Sequence, residues 1–266
     1  MRLTSIASGS SGNCVYIGSQ STHLLIDTGI AYKKIESGLQ EIGLKGEDIN
    51  GVLITHEHSD HICGLGVIAR KLGVPLYASA GTIRQIRQNK SLGRIEEELY
   101  RPIEADTVFE VGDLRILPFS NSHDAAQPLG YRVEQGTRSV AVCTDLGNYS
   151  QYTIEHLLHL DAVFLECNHD VRMLQVGPYP YPLKRRILSD YGHLSNEACG
   201  RLLCEILHDG MKHIFLGHLS KENNLPELAY EAVRLEITMG DNPYDAGEFP
   251  ITVAKRDSLS QVVYLD

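Results

Sequence analysis

The sequence predicts a mixed α/β layered fold in a single domain spanning residues 1–266. Three observations lead there. Short β-branched runs recur along the whole chain, stretches with helical spacing lie between several of them, and no repeat, low-complexity linker or composition shift divides the chain. At 266 residues, 42% hydrophobic and 22% charged, the chain is long enough to bury roughly three quarters of its extended surface. It contains no run of about 18 apolar residues, so neither a membrane-spanning nor a disordered protein is expected.

Taken in order, the runs read as strands are CVYIG (14–18), HLLID (23–27), VLIT (52–55), VPLYAS (74–79), LRILPF (114–119), SVAVCT (139–144), AVFLE (162–166), HIFLG (213–217), ITVA (251–254) and VVYL (262–265). Helical spacing runs from Ile62 to Leu72, ending at Gly73 ahead of Pro75, and from Ala198 to Leu207, ending near Gly210. A further helix is expected at 226–237. The stretch from Asn168 to Leu194, with GPYPYP at 177–182, reads as a long functional loop. Polar residues at the carboxyl ends of the strands are where such folds place their chemistry.

The formal net charge is −10, from 24 Lys+Arg against 34 Asp+Glu. That weighs against a surface that coats nucleic acid throughout. It leaves open a cleft carrying bound cations, whose local field outweighs the overall charge. Cys14, Cys63, Cys143, Cys167, Cys199 and Cys204 form no C-x-x-C pair and read as buried thiols of a reducing cytoplasm. The start, MRLTSIASGSSGN, lacks the basic and apolar regions of a secretory signal, so a cytoplasmic location is expected.

The strongest chemical signal follows VLIT. His56-Glu57-His58-Ser59-Asp60-His61 places three imidazoles and a carboxylate within six residues. In an extended turn, residues i and i+2 point the same way, so His56 and His58 can close on one cation. Asp60 and His61, opening the next helix, can face a second. Imidazole nitrogen with carboxylate oxygen suits Zn²⁺, or Mn²⁺ and Fe where oxygen ligands weigh more. By contrast His23, His156, His159, His208 and His213 lack ligand spacing and read as core or surface residues.

This H-x-H-x-D-H pattern between an apolar strand and an apolar helix resembles the metallo-β-lactamase fold superfamily. The resemblance implies a four-layer αββα sandwich and a two-metal centre. Residues in matching places complete the set: Asp27 as a supporting carboxylate, His123, Asp145 as the bridge between the metals, and His218. On this resemblance one metal takes His56, His58 and His123, and the other takes Asp60, His61 and His218. A bridging carboxylate at 145 fits a di-metal hydrolase.

The stretch GHLSNEACGRLLCEILHDGMKHIFLGHLS resembles the corresponding part of ribonuclease Z-like phosphodiesterases. It implies that Glu166 orients His193, which assists the leaving oxygen. A carboxylate beside an imidazole fixes its tautomer and favours its charged form. Together SIASGSSGNCVYIG, LLIDTG, THEHSDH, NSHDAAQPLGY, CTDLG, LECNHD, GPYPYPLKRRILSDYGHLSN and LGHLS resemble the bacterial YycJ/WalJ group over residues 1–220. That resemblance implies a cytoplasmic 5′→3′ DNA exonuclease with a metal-activated hydroxide and a place in DNA repair. It makes Asp60, His193 and Glu166 the catalytic residues. Ser10 and Asn13 in the Gly/Ser turn, Asn168 beside His169, Lys184 in the Lys184–Arg186 run, and Ser195 at a helix start are the expected substrate contacts. Ribonuclease Z itself is disfavoured, because its inserted arm has no room between His123 and Asp145. A small-molecule hydrolase, either a cyclic phosphodiesterase or a glyoxalase II-like thioesterase, would share every metal ligand, and an RNase stands after it. The residues leave the native metal, the oligomeric state and the role of the last 40 residues open.

Overall fold

The computed structural model describes residues 1–266. In chain order its strands are β1 (Arg2–Ala7), β2 (Cys14–Gly18), β3 (His23–Ile26), β4 (Gly51–Leu53), β5 (Leu76–Ser79), β6 (Tyr100–Ile103), β7 (Phe109–Val111), β8 (Leu114–Ser120), β9 (Leu129–Gln135), β10 (Arg138–Cys143), β11 (Ala162–Glu166), β12 (His213–Gly217), β13 (Ile251–Val253) and β14 (Val263–Tyr264). The helices are α1 (Tyr32–Glu41), α2 (Ser59–Ile62), α3 (Leu65–Leu72), α4 (Ala80–Gln88), α5 (Gln151–Leu157), α6 (Val171–Val176), α7 (Tyr181–Ile187), α8 (Asn196–Ile206) and α9 (Pro226–Met239). The chain forms two compact units. One comprises Met1–Ser120, Ala125–Arg138 and Lys255–Asp266, and the other Asn121–Asp124 and Ser139–Ala254.

The first unit holds a sheet ordered β14-β1-β2-β3-β4-β5-β6, antiparallel from β14 to β3 and parallel from β3 to β6. It also holds the antiparallel ladders of β7 on β8 and β8 on β9. Ile35 and Leu39 of α1, one turn apart, join Leu65 and Ile68 of α3 in a single apolar cluster with Tyr16, Leu25, Val52 and Leu76 of the sheet. Each such fully buried aliphatic contributes about 1.5–3 kcal/mol.

The continuous helix expected from Ile62 is broken into α2 and α3. The break lies at Gly64, whose N–H donates to Thr28 O at 2.8 Å. A Cβ there would stand 2.2 Å from Ile30 O, so only glycine lets the helix press against the turn that follows β3. α3 then ends as expected at Gly73, with φ +62.

The second unit carries the parallel strands β10-β11-β12-β13. Their register aligns Cys143 with Leu165 and Leu165 with Leu216, so residues 145, 166 and 218 emerge at one end of one sheet. The expected loop from Asn168 to Leu194 is corrected here: it contains α6 and α7, of six and seven residues. Helices that short carry too few turns for a hydrophobic period to be legible.

His213 opens β12, is buried, and its Nε2 bonds to Thr252 Oγ1 on β13. Burial holds its pKa down to about 4 from the ordinary 6.5. The native imidazole therefore stays neutral where an unfolded one charges. Its contribution to stability is complete above pH 6.5 and is lost as the pH falls from there to about 4. We expect the His213→Gln variant to lose less stability than wild type between pH 7 and pH 4 in urea titrations.

Candidate active site

In the first unit the site grows from the ends of β3 and β4. Asp27 follows β3 with φ +60, a left-handed backbone uncommon outside glycine. Its N–H still pairs with Leu53 O at 2.9 Å. The turn swings its carboxylate onto the segment leaving β4. Oδ1 accepts from Thr55 N at 2.8 Å, and Oδ2 accepts from Thr55 Oγ1 and from His61 Nδ1, both at 2.7 Å. Because the Thr55 hydroxyl donates to Asp27, it accepts from His56 Nδ1 at 3.0 Å. Asp27 and Thr55 thus fix the tautomers of His61 and His56.

The rings of His56 and His58 lie 4.5 Å apart, and those of His56 and His61 4.2 Å apart. His56 and His61 are fully buried, whereas His58 and Asp60 are partly exposed. Glu57 belongs to the same motif but serves elsewhere: its Oε1 accepts from Ala126 N at 2.7 Å. Asn13 is buried, with its N–H on Asp60 O at 2.8 Å and its side-chain nitrogen 3.3 Å from His61 Nε2. It ties the Gly/Ser turn to Asp60 and His61, while Ser10 stands exposed at the tip of that turn.

In the second unit Asp145 and His218 repeat the device, each with φ +57 just beyond its strand. Strained backbones of this kind collect where a side chain must be aimed. Glu166, the last residue of β11, is fully buried. Its Oε1 accepts from His218 Nδ1 at 2.7 Å and His193 Nδ1 at 2.9 Å, and its Oε2 from Leu146 N at 2.8 Å and Leu194 N at 3.1 Å. Burial alone would raise its pKa, but the charges and hydrogen bonds of His193 and His218 outweigh this and hold it well below the usual carboxylate range. Ligand atoms of Asp145, Glu166, His193 and His218 lie within 4.8 Å of one another. His123 Nδ1 bonds Gly192 O at 3.0 Å, and its Nε2 lies 3.5 Å from Asp145 Oδ1.

The expected substrate contacts are placed as follows. Asn168 is buried and donates to His218 O at 2.8 Å, fixing the strained turn there. Ser195 caps α8, accepting from Ala198 N at 3.2 Å. Lys184 Nζ donates to Gln175 O and Gly177 O, both at 2.7 Å, so it closes the end of α6. Arg186 pairs with Asp124. Thr55 and the carbonyl of Gly192 escape sequence reasoning. The position of Thr55 directly before His56 is the one signal that could have found it.

The donor set fits divalent cations. His56, His61, His123 and His218 each engage Nδ1 with an oxygen, which makes Nε2 the candidate ligand atom in all four. Metal-binding imidazoles are held in this way, with the outer nitrogen fixed by carboxylate, carbonyl or hydroxyl.

A family model described as a Beta-lactamase superfamily domain matches residues 22–210. The chain is 43% identical over 236 residues to "Exodeoxyribonuclease WalJ" of Streptococcus pneumoniae, covering 89% of this chain and 88% of that one. It is 40% identical over 228 residues to "Exodeoxyribonuclease YycJ" of Bacillus anthracis, covering 86% of each. Among solved structures it is similar to the metallo-β-lactamase fold protein YhfI of Bacillus subtilis, with a TM-score of 0.70 at 18% identity over 97% of this chain and 98% of that one. That likeness shows the fold. It agrees with the αββα class expected from the motifs.

Proposed function

The chain belongs to the metallo-β-lactamase superfamily, in the group of the WalJ and YycJ exodeoxyribonucleases, and from that membership we propose that it is a metal-dependent exonuclease that degrades DNA from the 5′ end, in DNA repair. The observation that carries a phosphodiester over other substrates is Glu166 Oε1 accepting from His193 Nδ1 at 2.9 Å. An alkoxide leaving group needs a proton, which a held imidazole delivers. A thioester releases a thiol of pKa about 8.5, which departs as thiolate unaided. The pair therefore favours a nuclease over a glyoxalase II-like thioesterase.

In this reading His56, His58 and His123 would hold one cation and Asp60, His61 and His218 the other, with Asp145 supplying a further carboxylate. The cations are Zn²⁺ or Mn²⁺, with Fe admitted by the same donors. When bound they supply Lewis acidity at the phosphate and a water acidic enough to ionise near neutral pH. The chain's residues do the rest. Asp60 would orient the attacking water, the Glu166 carboxylate holds His193 by its Nδ1–H and favours the doubly protonated ring, and His193 gives its Nε2 proton to the leaving oxygen and is left neutral with Nδ1–H still on Glu166. Asn13, Asn168 and Ser195 hold the walls of the site, and Ser10 meets the substrate from the tip of its turn.

We keep residues 1–266 as one domain, a reading supported by the chain passing between the two compact units more than once. Six free cysteines support a reducing, cytoplasmic setting, although only Cys14, Cys143, Cys167 and Cys199 are buried as expected, while Cys63 is exposed and Cys204 partly so because their positions face solvent. No helix is long and apolar enough to cross a membrane.

The test is degradation of duplex DNA, single-stranded DNA and RNA, labelled at either end, by metal-stripped protein resupplied with Mn²⁺ or Zn²⁺. Progressive loss from the 5′ end of DNA, dependent on added metal, is expected. Hydrolysis of a small ester or cyclic phosphodiester, with every polymer left intact, would overturn the reading.

A further inference from the structure

Helix α7 has two faces of different character. Ile187 is buried, with Leu183 and Lys184 half-buried beside it, so the helix packs along that side. Tyr181, Arg185 and Leu188 follow the i, i+4, i+7 spacing that gathers side chains on one helical face. All three are exposed, Tyr181 at 72% and Leu188 at 48%. The helical turn persists to Leu188, which lies in the αR region and whose N–H donates to Lys184 O at 3.0 Å. The outward face therefore carries a tyrosine ring and an aliphatic side chain with a guanidinium between them.

The charge of this segment departs from that of the whole chain. Between Asp170 and Asp190 stand Arg172, Lys184, Arg185 and Arg186 and no acidic residue, in a chain whose net charge is −10. Lys184 is engaged by the carbonyls of Gln175 and Gly177, and Arg186 by Asp124. Arg185, between them, is exposed and forms no ion pair. The mount is firm: Lys184 ties α7 to the end of α6, and Ile187 O accepts from His193 N at 3.0 Å. One backbone hydrogen bond thus joins the end of α7 to the residue assigned the proton transfer.

Resting on the exonuclease reading, we propose that the outward face of α7 is a docking surface for a single-stranded stretch of the DNA substrate, with a base stacked on Tyr181 and a backbone phosphate on Arg185. Charge selects the occupant. An unpaired cation within an acid-free segment fits a polyanion, and the exposed ring beside it fits unpaired bases, each of which has a π-face whatever the sequence. Leu188 widens the apolar surface on the far side of the guanidinium. Tyr181 and Arg185 hold the strand and take no part in breaking the bond, so they act on affinity.

The test uses metal-loaded protein and fluorescently labelled single-stranded DNA with phosphorothioate linkages that resist hydrolysis. By anisotropy, Tyr181→Ala should weaken binding about ten-fold, and Tyr181→Phe should bind as wild type does. A blunt duplex, whose bases are already stacked, should bind Tyr181→Ala and wild type alike. Arg185→Gln should flatten the slope of log affinity against log salt by about 0.7, the share of one phosphate on a single strand, and Tyr181→Ala should leave that slope unchanged. On ordinary single-stranded DNA both variants should raise KM with kcat little changed. If wild type degrades DNA while both variants match it in affinity, salt slope and KM, the docking proposal fails and the exonuclease stands. Variants that turn a dimer into a monomer in light scattering, with DNA affinity unchanged, would make this face a contact between two copies of the chain and would also overturn the proposal. Wild-type protein that neither binds nor degrades DNA overturns both readings.

Discussion

Glu166→Gln is expected to lower kcat on DNA by about 10²- to 10⁴-fold and to weaken metal binding by about 10- to 100-fold, although the side chain keeps its size. Glu166 accepts four hydrogen bonds, two from imidazoles and two from backbone N–H groups. A glutamine has one accepting oxygen and one donating nitrogen. If the amide oxygen stays on Leu146 N and Leu194 N, the amide nitrogen faces His193 and His218. Both rings must then move a proton from Nδ1 to Nε2. His218 loses the lone pair with which it would bind a cation, and His193 loses its oriented form. If the amide turns the other way, two buried N–H groups lose their acceptor at about 1–3 kcal/mol each. Either outcome also lowers stability, so kcat, metal content and urea midpoint are measured on the same preparation. Full activity with an unchanged midpoint would remove Glu166 from the mechanism.

The same residue shows what the sequence made legible. That Glu166 ends a strand is read from AVFLE, and that it serves a histidine is implied only by the family resemblance; the hydrogen bond to His193 is present at 2.9 Å. Its second imidazole, His218, and its two backbone donors depend on strand register and on the turn before α8, which no local pattern encodes. The strand ends were legible because apolar β-branched runs stop abruptly at Asp, Glu or His, as at Asp27, Glu166 and His218.

Strands β1, β6, β7 and β9 were not read. β6 is YRPI, with exposed Arg101 and Pro102 at the edge of its sheet. β7 is three residues long, and β1 buries Thr4 and Ser5, which break the apolar run. Residue type also misleads where a long side chain finds a local partner. Lys184 reads as a phosphate contact by charge, yet its ammonium binds two carbonyls at the end of α6. The Gly192 carbonyl that orients His123 has no signature at all, because every residue carries one.

Asp60→Ala should separate activity from stability, the opposite of what Asp27→Ala should do. Asp27 is buried with three donors on its carboxylate. Removing it strips the acceptor from His61, from the Thr55 hydroxyl and from a backbone N–H, a loss of about 3–5 kcal/mol in stability. The Asp60 side chain is 24% exposed and its Oδ2 lies 3.5 Å from His61 Nε2, whereas its backbone carbonyl accepts from Asn13 N at 2.8 Å, a contact that truncation of the side chain does not remove. Truncating Asp60 therefore leaves α2 and the turn at Asn13 intact, with a shift in the urea midpoint close to zero. In the proposed mechanism its carboxylate faces the reacting centre, and loss of one such charge is expected to cost about 10²- to 10³-fold in kcat. Metal content measured after gel filtration should fall in Asp60→Ala with the far-ultraviolet spectrum unchanged, and in Asp27→Ala the spectrum and the midpoint should fall with it. An Asp60→Ala protein that unfolds like Asp27→Ala would mean that the carboxylate holds the fold, and the assignment of Asp60 to the reacting centre would be withdrawn.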